Sequence, residues 1–260
     1  MLSPAQQLSN PETQQPMWSP DQYEKFKSER ARPFWDLLAL IRPRPHMRVV
    51  DLGCGTGELT RALHEKLQAR ETIGIDNSDS MLAKAPSAPG LYFRKESIES
   101  FNESGFDLIF SNAALHWVAD HEALFRRLAT LAQQIAVQMP ANDDHPSHTV
   151  AAEVARELGM EPKPLHLLPP ESYAQLFFDL GYAEQHVRLQ IYGHVLPSSE
   201  DVIEWVKGTL LTYYEREPRF IERYRQRLLA RIGVQRPYFY TYKRLLLLGQ
   251  DRVERQHDRH

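Results

Sequence analysis

Arg48-Val-Val-Asp-Leu-Gly-Cys-Gly-Thr-Gly-Glu58, answered downstream by Ile73-Gly-Ile-Asp76, decides the fold. Val49, Val50 and Leu52 make an apolar run short enough for a buried strand. Gly53, Gly55 and Gly57 then turn the chain, and Glu58, Leu59, Leu63 and Leu67 continue at helical spacing. The order is strand, tight turn, helix, and a second strand that ends on an acid, Asp76. A carboxylate in that position can accept hydrogen bonds from both hydroxyls of a ribose. The stretch predicts an α/β fold with a site for a nucleoside-containing cofactor.

The glycine spacing narrows the cofactor. Dinucleotide turns read G-x-G-x-x-G, the third glycine letting the helix N-terminus approach a pyrophosphate. Glu58 stands at that third place, where an anion would repel phosphate. Asp51 precedes Gly53, and Gly53, Cys54, Gly55 and Gly57 form a turn that suits a ligand with a positively charged amino-acid end and no phosphate. Adenosine, a sulfonium and a methionine tail meet that description, so S-adenosylmethionine is expected rather than a nicotinamide.

The 260 residues, 42% of them hydrophobic, suffice for one α/β domain with embellishments, expected over 17–249. A net charge of −3 gives no global basic field, so no nucleic-acid partner is expected. The basic run from Arg219 to Arg231 is interleaved with Glu222 and apolar residues and reads as a solvated helix face. No apolar run reaches the roughly 18 residues of a membrane helix, so no membrane partner is expected. The single cysteine, Cys54, cannot form an internal disulfide and reads as a small residue filling a crowded turn, consistent with a cytoplasmic protein. Residues 1–16 are polar and rich in Gln and Pro and read as a disordered leader; 250–260 read as a disordered tail whose histidines lack metal spacing, and no metal is expected.

Along the chain, Asp21 reads as the cap of a helix carrying Tyr23, Phe26 and Arg30, and 32–41 as a second helix stopped by Pro43 and Pro45. Strands at 47–52, 72–75, 91–94, 106–110 and 134–138 alternate with helices near 57–68, 80–85 and 122–132, the pattern of a parallel sheet with right-handed crossovers. From Pro140 helical patterns dominate, at 148–158, 171–180, 200–207 and 219–232. They are expected to form a cap, mainly 140–182 and 198–235, inserted late in the sheet. The alternating segments 184–192 and 238–248 would extend the sheet.

Open α/β sheets bind ligands beyond the carboxyl ends of their strands, at the switch between the first strand and its outward neighbour. That sets the glycine turn opposite Ser111-Asn-Ala-Ala-Leu-His-Trp117, whose Asn112 and Ala113 would line the cofactor. Trp117 packs either on adenine or in the core, and His116 is either a general base or a histidine bonded to a backbone carbonyl. Adenine is expected near Glu96-Ser97-Ile98-Glu99, with Ile98 as an apolar face and Ser97 bonded to the exocyclic amine. Met81, beyond Asp76 and Asn77, covers the other face of the ring or faces the core.

Asp51-Leu-Gly-Cys-Gly-Thr-Gly57, Gly74-Ile-Asp-Asn-Ser78 with Met81, Asn112-Ala-Ala-Leu-His-Trp117 and Val137-Gln-Met-Pro140 resemble the class I S-adenosylmethionine-dependent methyltransferases. Trp18, Tyr23 and Phe26, the Gln138-Met-Pro segment and Glu204-Trp-Val-Lys-Gly-Thr209 are similar, within them, to the trans-aconitate methyltransferases. The resemblance runs from Trp18 to Leu248. It implies a Rossmann-like seven-stranded sheet with an antiparallel last strand, N-terminal helices over the cofactor, and methyl transfer to a carboxylate oxygen of a small-molecule acceptor. Carried over, Asp51, Gly53, Asp76, Ile98 and the 112–117 loop would contact the cofactor, and Trp18, Tyr23 and Phe26 would close the site. Gln138, Thr212, Tyr214 and Tyr240 are the further acceptor-side candidates.

Two departures from the family pattern matter. An acid often stands where this chain has Ser97, with Glu96 as the substitute. Where the family has Gly-Leu-Arg-Pro this chain has Leu210-Leu-Thr-Tyr213, so Thr212 replaces an arginine suited to a polycarboxylate. Arg223, Arg225, Lys243 and Arg244 are the cations that could restore the charge, while Tyr213, Tyr214, Tyr238 and Tyr240 suggest aromatic walls with hydroxyl donors. A carboxylate acceptor needs no base; a hydroxyl or amine acceptor would use His116. A non-catalytic cofactor-binding module is the alternative of a different class, and the N-terminal aromatics and the cap favour an enzyme.

Overall fold

Residues 27–214 and 217–252 are those the computed structural model describes. The expected leader, the segment with Trp18, Tyr23 and Phe26, and the tail beyond Arg252 lie outside the described residues. The first helix, α1 (Lys27–Leu38), runs unbroken through Pro33, where two helices were expected. An interior proline forfeits one backbone bond and costs about 3 kcal/mol. Burial of Phe34, Leu37 and Leu38 against Val49, Leu108, Phe110 and Ala136 of the sheet offsets it, at roughly 1.5–3 kcal/mol per side chain.

The β-α alternation then proceeds as the pattern predicts: β1 (Arg48–Leu52), α2 (Glu58–Leu67), β2 (Glu71–Asp76), α3 (Asp79–Leu82), β3 (Leu91–Lys95), β4 (Phe106–Asn112), α4 (His121–Leu131) and β5 (Ala132–Pro140). The expected helix at 80–85 is this one short turn, α3, capped by Ser78. A 3-10 turn, Leu115–Trp117, follows β4. The second half contains α5 (Pro146–Glu157), α6 (Pro170–Asp179), β6 (Tyr182–Leu196), α7 (Asp201–Lys207), a 3-10 turn Leu211–Tyr214, α8 (Pro218–Ile232) and β7 (Tyr238–Arg252).

The strands form one seven-stranded sheet in the order β3-β2-β1-β4-β5-β7-β6. Those from β3 to β5 are parallel, and β7 enters antiparallel between β5 and β6. The expected Rossmann-like seven-stranded sheet with its antiparallel last strand is therefore present. Strand order reverses between β1 and β4, which sets the 53–57 turn beside the 113–118 loop.

Leu245 to Leu248 show how both faces of the sheet are covered. Alternation sends Leu246 and Leu248 into the layer with α1 and α2, and Leu245 and Leu247 into the layer with α4 and α6. This corrects the expected cap. Helix α6 packs Tyr173, Leu176 and Phe177 into the sheet core beside Phe125, because its apolar stripe faces α4. The cap is α5, α7 and α8, whose Val150, Val154, Trp205, Phe220 and Tyr224 gather on Tyr192, Tyr240 and Tyr242 of the projecting β6–β7 hairpin.

Both strands of that hairpin outrun their expected ends. Asp251 of β7 is bonded by Arg42 at 2.8 Å and Arg44 at 3.0 Å, and Arg252 donates to the carbonyls of Leu180 and Ala129. Residues 250–252 are thus strand, not the start of a frayed tail, because their charged side chains have partners.

Candidate active site

The cofactor half of the site is built by backbone turns that only these residues allow. Gly53 has φ +76°, and a Cβ there would lie 2.2 Å from the Cβ of Ala114 across the switch point. Its N–H and that of Cys54 both donate to the Ile75 carbonyl at 2.9 Å, tying the turn to β2. Ala113 itself is left-handed, at φ +57°, a conformation unusual for alanine, with its N–H donating to Gln138 O at 2.8 Å.

Asp76 receives Gly55 N–H on Oδ2 and Ser78 N–H on Oδ1, each at 2.9 Å. Each carboxylate oxygen keeps a lone pair for another donor. Asp51 is buried beneath the turn; Thr60 Oγ1 donates to its Oδ2 at 2.7 Å, and Oδ1 has no partner. Burial pushes the Asp51 carboxyl up to about 7, against the Thr60 hydrogen bond and with help from the charge of Asp76. An orphaned, desolvated carboxylate oxygen fits a ligand ammonium. Burial likewise raises the Cys54 thiol well above its usual value, so Cys54 fills space and does not react.

A cavity of about 410 Å³ opens above these groups. Eight of the expected cofactor residues line it: Gly53, Asp76, Asn77, Met81, Ser97, Ile98, Ala113 and Trp117. Glu96, Glu99, Ala114 and Val118 complete the wall. Asp51, Cys54, Gly55, Gly57 and Asn112 stand behind it and shape it. Met81 does not face the core. Nor does Trp117, which is 53% exposed on the cavity rim. The Ser97 hydroxyl is bonded to Ser100, while Glu96 pairs with Arg94 at 2.9 Å. Arg127, which the sequence did not single out, holds the adjoining loop through the carbonyls of Ile98 and Phe101.

Beyond Trp117 lie His116 and the residues expected on the acceptor side. The turn carrying His116 is fixed by His121, whose Nε2–H donates to Leu115 O at 3.1 Å while Nδ1 accepts from Tyr173. In this turn the bond to a backbone carbonyl is made by His121. His116 packs on Trp117 with 4.8 Å between ring centroids, and its Nδ1 has no partner. Burial pushes His116 down to about 3, helped by the charges of Lys163 and Arg244. A base that weak at neutral pH is poorly matched to proton abstraction, which weighs against the general-base alternative for His116. His148, on α5, is also pushed down to about 3, by burial, Lys163, His145 and Arg244.

The other acceptor-side candidates separate. Gln138 is buried and donates to Asn112 Oδ1 at 2.7 Å. Tyr240 is buried in the cap, edge-on to His145 at 5.1 Å. Tyr214 is buried, stacked on Phe220 at 4.0 Å, and its hydroxyl accepts from Lys163 N at 2.7 Å. Thr212 is exposed and donates to Thr209 O at 2.6 Å, so it belongs to the cap surface and not to the cavity wall. Arg223, Arg225 and Lys243 are paired with Glu157, Glu200 and Asp144. Arg244 is the cation of the four whose charge reaches His116 and His148. The sequence missed Lys163, whose Nζ lies 4.4 Å from the centroid of the Trp117 ring. Its signal was Pro162-Lys-Pro164, a lysine pinned between prolines in a cap connection.

The methyltransferase domain family matches residues 49–134. Among solved structures, the cyclopropane synthase MmaA2 of Mycobacterium tuberculosis superposes with a TM-score of 0.54 at 16% identity, over 91% of this chain and 87% of that one. A phosphoethanolamine N-methyltransferase of Haemonchus contortus, solved with phosphomonomethylethanolamine and S-adenosylhomocysteine, gives 0.55 at 14% identity, over 90% of this chain and 57% of that one. At such identities these likenesses carry the fold alone. The matching domain, together with the sequence relatives below, defines the class: this is an S-adenosylmethionine-dependent methyltransferase of class I.

Sequence relatives refine the class. A trans-aconitate 2-methyltransferase from Deinococcus radiodurans is 39% identical over 253 residues, spanning 89% of this chain and 97% of the relative. One from Klebsiella pneumoniae is 40% identical over 203 residues, spanning 76% and 80%. The chain belongs to the trans-aconitate 2-methyltransferase family.

Proposed function

We propose that this protein methylates a carboxylate oxygen of a small polycarboxylic acid, trans-aconitate or a near analogue. One observation carries the reading: Lys163 puts positive charge beside the cavity rim, and its field, with that of Arg244, acts on a His116 kept neutral. A polyanionic acceptor is drawn to that field. A carboxylate is already a nucleophile, so the lack of a competent base at His116 is no obstacle. The names of the relatives agree with this choice.

Bound in the cavity, S-adenosylmethionine supplies a methyl group already activated on its sulfonium. The chain's contribution is placement. The negative charge of Asp51 behind the wall suits the ammonium, the remaining lone pairs of Asp76 suit the ribose hydroxyls, and Ile98 and Met81 suit the faces of adenine. Trp117, His116 and the cap residues behind them keep water away and hold the acceptor in line, and proximity of that kind is worth on the order of 7–11 kcal/mol.

The test is methyl transfer from labelled S-adenosylmethionine to trans-aconitate, to monocarboxylic and aromatic acids, and to hydroxyl and amine acceptors. Turnover of trans-aconitate in preference to the monoacids is expected. Turnover of hydroxyl or amine acceptors alone refutes the carboxylate reading; silence with every acceptor, with cofactor binding intact, favours the non-catalytic module.

A further inference from the structure

We propose that Lys163 is the specificity-determining cation of the acceptor site, holding a carboxylate of the substrate that is not methylated. The inference rests on the polycarboxylate reading above and names the residue that would make it possible in a chain without the family's arginine. At the place of that arginine, Thr212 points its hydroxyl at the backbone of its own turn. Yet the same turn ends on Tyr214, whose hydroxyl accepts from the backbone N–H of Lys163. The segment that would have carried the charge instead braces the segment that does. Pro162 and Pro164 restrict the backbone on either side.

The side chain of Lys163 is placed for the task. Its ammonium lies over the Trp117 indole, on the rim of the cofactor cavity. Among the described residues it closes no ion pair, whereas Arg223, Arg225 and Lys243 each do. Asp143 attracts it, and burial lowers its pKa, as expected of a charge short of counter-ions. His116 and His148, on both of which its charge acts, are held neutral by burial, so neither of the two competes with it for an acceptor carboxylate. A lysine lying on an aromatic face keeps its three N–H donors for an incoming anion.

The test compares wild type, Lys163→Met and Lys163→Arg. Methionine keeps the apolar stem on Trp117 and removes the charge; arginine keeps the charge. The readouts are KM and kcat for trans-aconitate and for a monocarboxylic acid, with S-adenosylhomocysteine affinity by calorimetry reporting an intact fold. Loss of one charged hydrogen bond should raise the KM for trans-aconitate about 10- to 150-fold in Lys163→Met. The monocarboxylic acid should show a much smaller rise, and Lys163→Arg should restore most of the preference. An unchanged KM for trans-aconitate, or equal rises for both acids, overturns the role of Lys163 while leaving the carboxylate reading intact. If wild type turns over no acid at all, that reading falls and this one with it. Should Lys163→Met lose cofactor affinity, Tyr214→Phe, which frees the Lys163 backbone without touching its charge, must still raise the KM for trans-aconitate more than that for the monoacid.

Discussion

Replacing Asp51 with asparagine should make the cofactor-free protein more stable and a poorer binder of its cofactor. Burial raises the Asp51 carboxyl from 3.8 to about 7. A pKa raised by folding means that the folded state holds the proton more tightly. The associated stability is fully present below about 4 and is lost as pH rises through about 7. The gap corresponds to about 4 kcal/mol by which the ionised carboxylate strains the fold at pH 8. Asparagine removes the charge but places an amide N–H where Oδ1 has no partner, costing about 1–3 kcal/mol. The net gain at pH 8 is about 1–3 kcal/mol, and at this size each kcal/mol moves Tm by roughly 2–4 °C.

The assay is thermal unfolding of both proteins from pH 4 to pH 8, without cofactor. His116 and His148, held down near 3, bind protons only when unfolded and make stability rise with pH over their own range. The quantity to follow is therefore the difference between variant and wild type, which should grow from pH 4 to pH 7 and then level off. Calorimetry with S-adenosylhomocysteine should show a higher Kd in the variant, as the negative charge behind the cavity wall is lost. A stability difference independent of pH, or an unchanged Kd, would refute the picture of Asp51 as a strained carboxylate awaiting an ammonium.

Asp76→Ala removes the acceptor of Gly55 N–H and Ser78 N–H and should weaken cofactor binding by about 1–3 kcal/mol in calorimetry. His116→Ala should leave kcat with carboxylic acids within a few-fold; a fall of 10²–10⁴-fold, with cofactor affinity intact, would restore the general base. Gly53→Ala drives a methyl group into Ala114 at a left-handed residue and should cost on the order of 2–4 kcal/mol, read as a lower Tm in the cofactor-free protein.

The cofactor half was legible because its logic is local. A strand, three glycines, a helix and an acid-ended strand specify their own geometry within one βαβ unit, and Asp76, Gly53 and Ile98 fell where the pattern put them. What escaped depends on residues far apart in sequence. Nothing near Pro33 tells that buried partners on β4 and β5 will hold the helix through it. Asp251 reads as part of a charged tail until Arg42 and Arg44 are brought beside it. Trp117 was open between adenine and the core, and only the packing of the 113–118 loop shows that it stands at a rim. The proposed acceptor half was hardest to read, since Lys163, His148 and Arg244 come from three separate segments and share no motif.

The β6–β7 hairpin carries a consequence for how substrate enters. Its ladder is continuous in register from Tyr182–Arg252 in the sheet to Leu196–Tyr238 under the cap. The strands that complete the cofactor-binding sheet are thus the same strands that support α5, α7 and α8. Swinging those helices as a lid would break paired backbone bonds along the way. With the acceptor bound as proposed, the wall behind it would stand before the acceptor arrives, so little binding free energy would go into assembling it, and discrimination would fall to the charges along its edge.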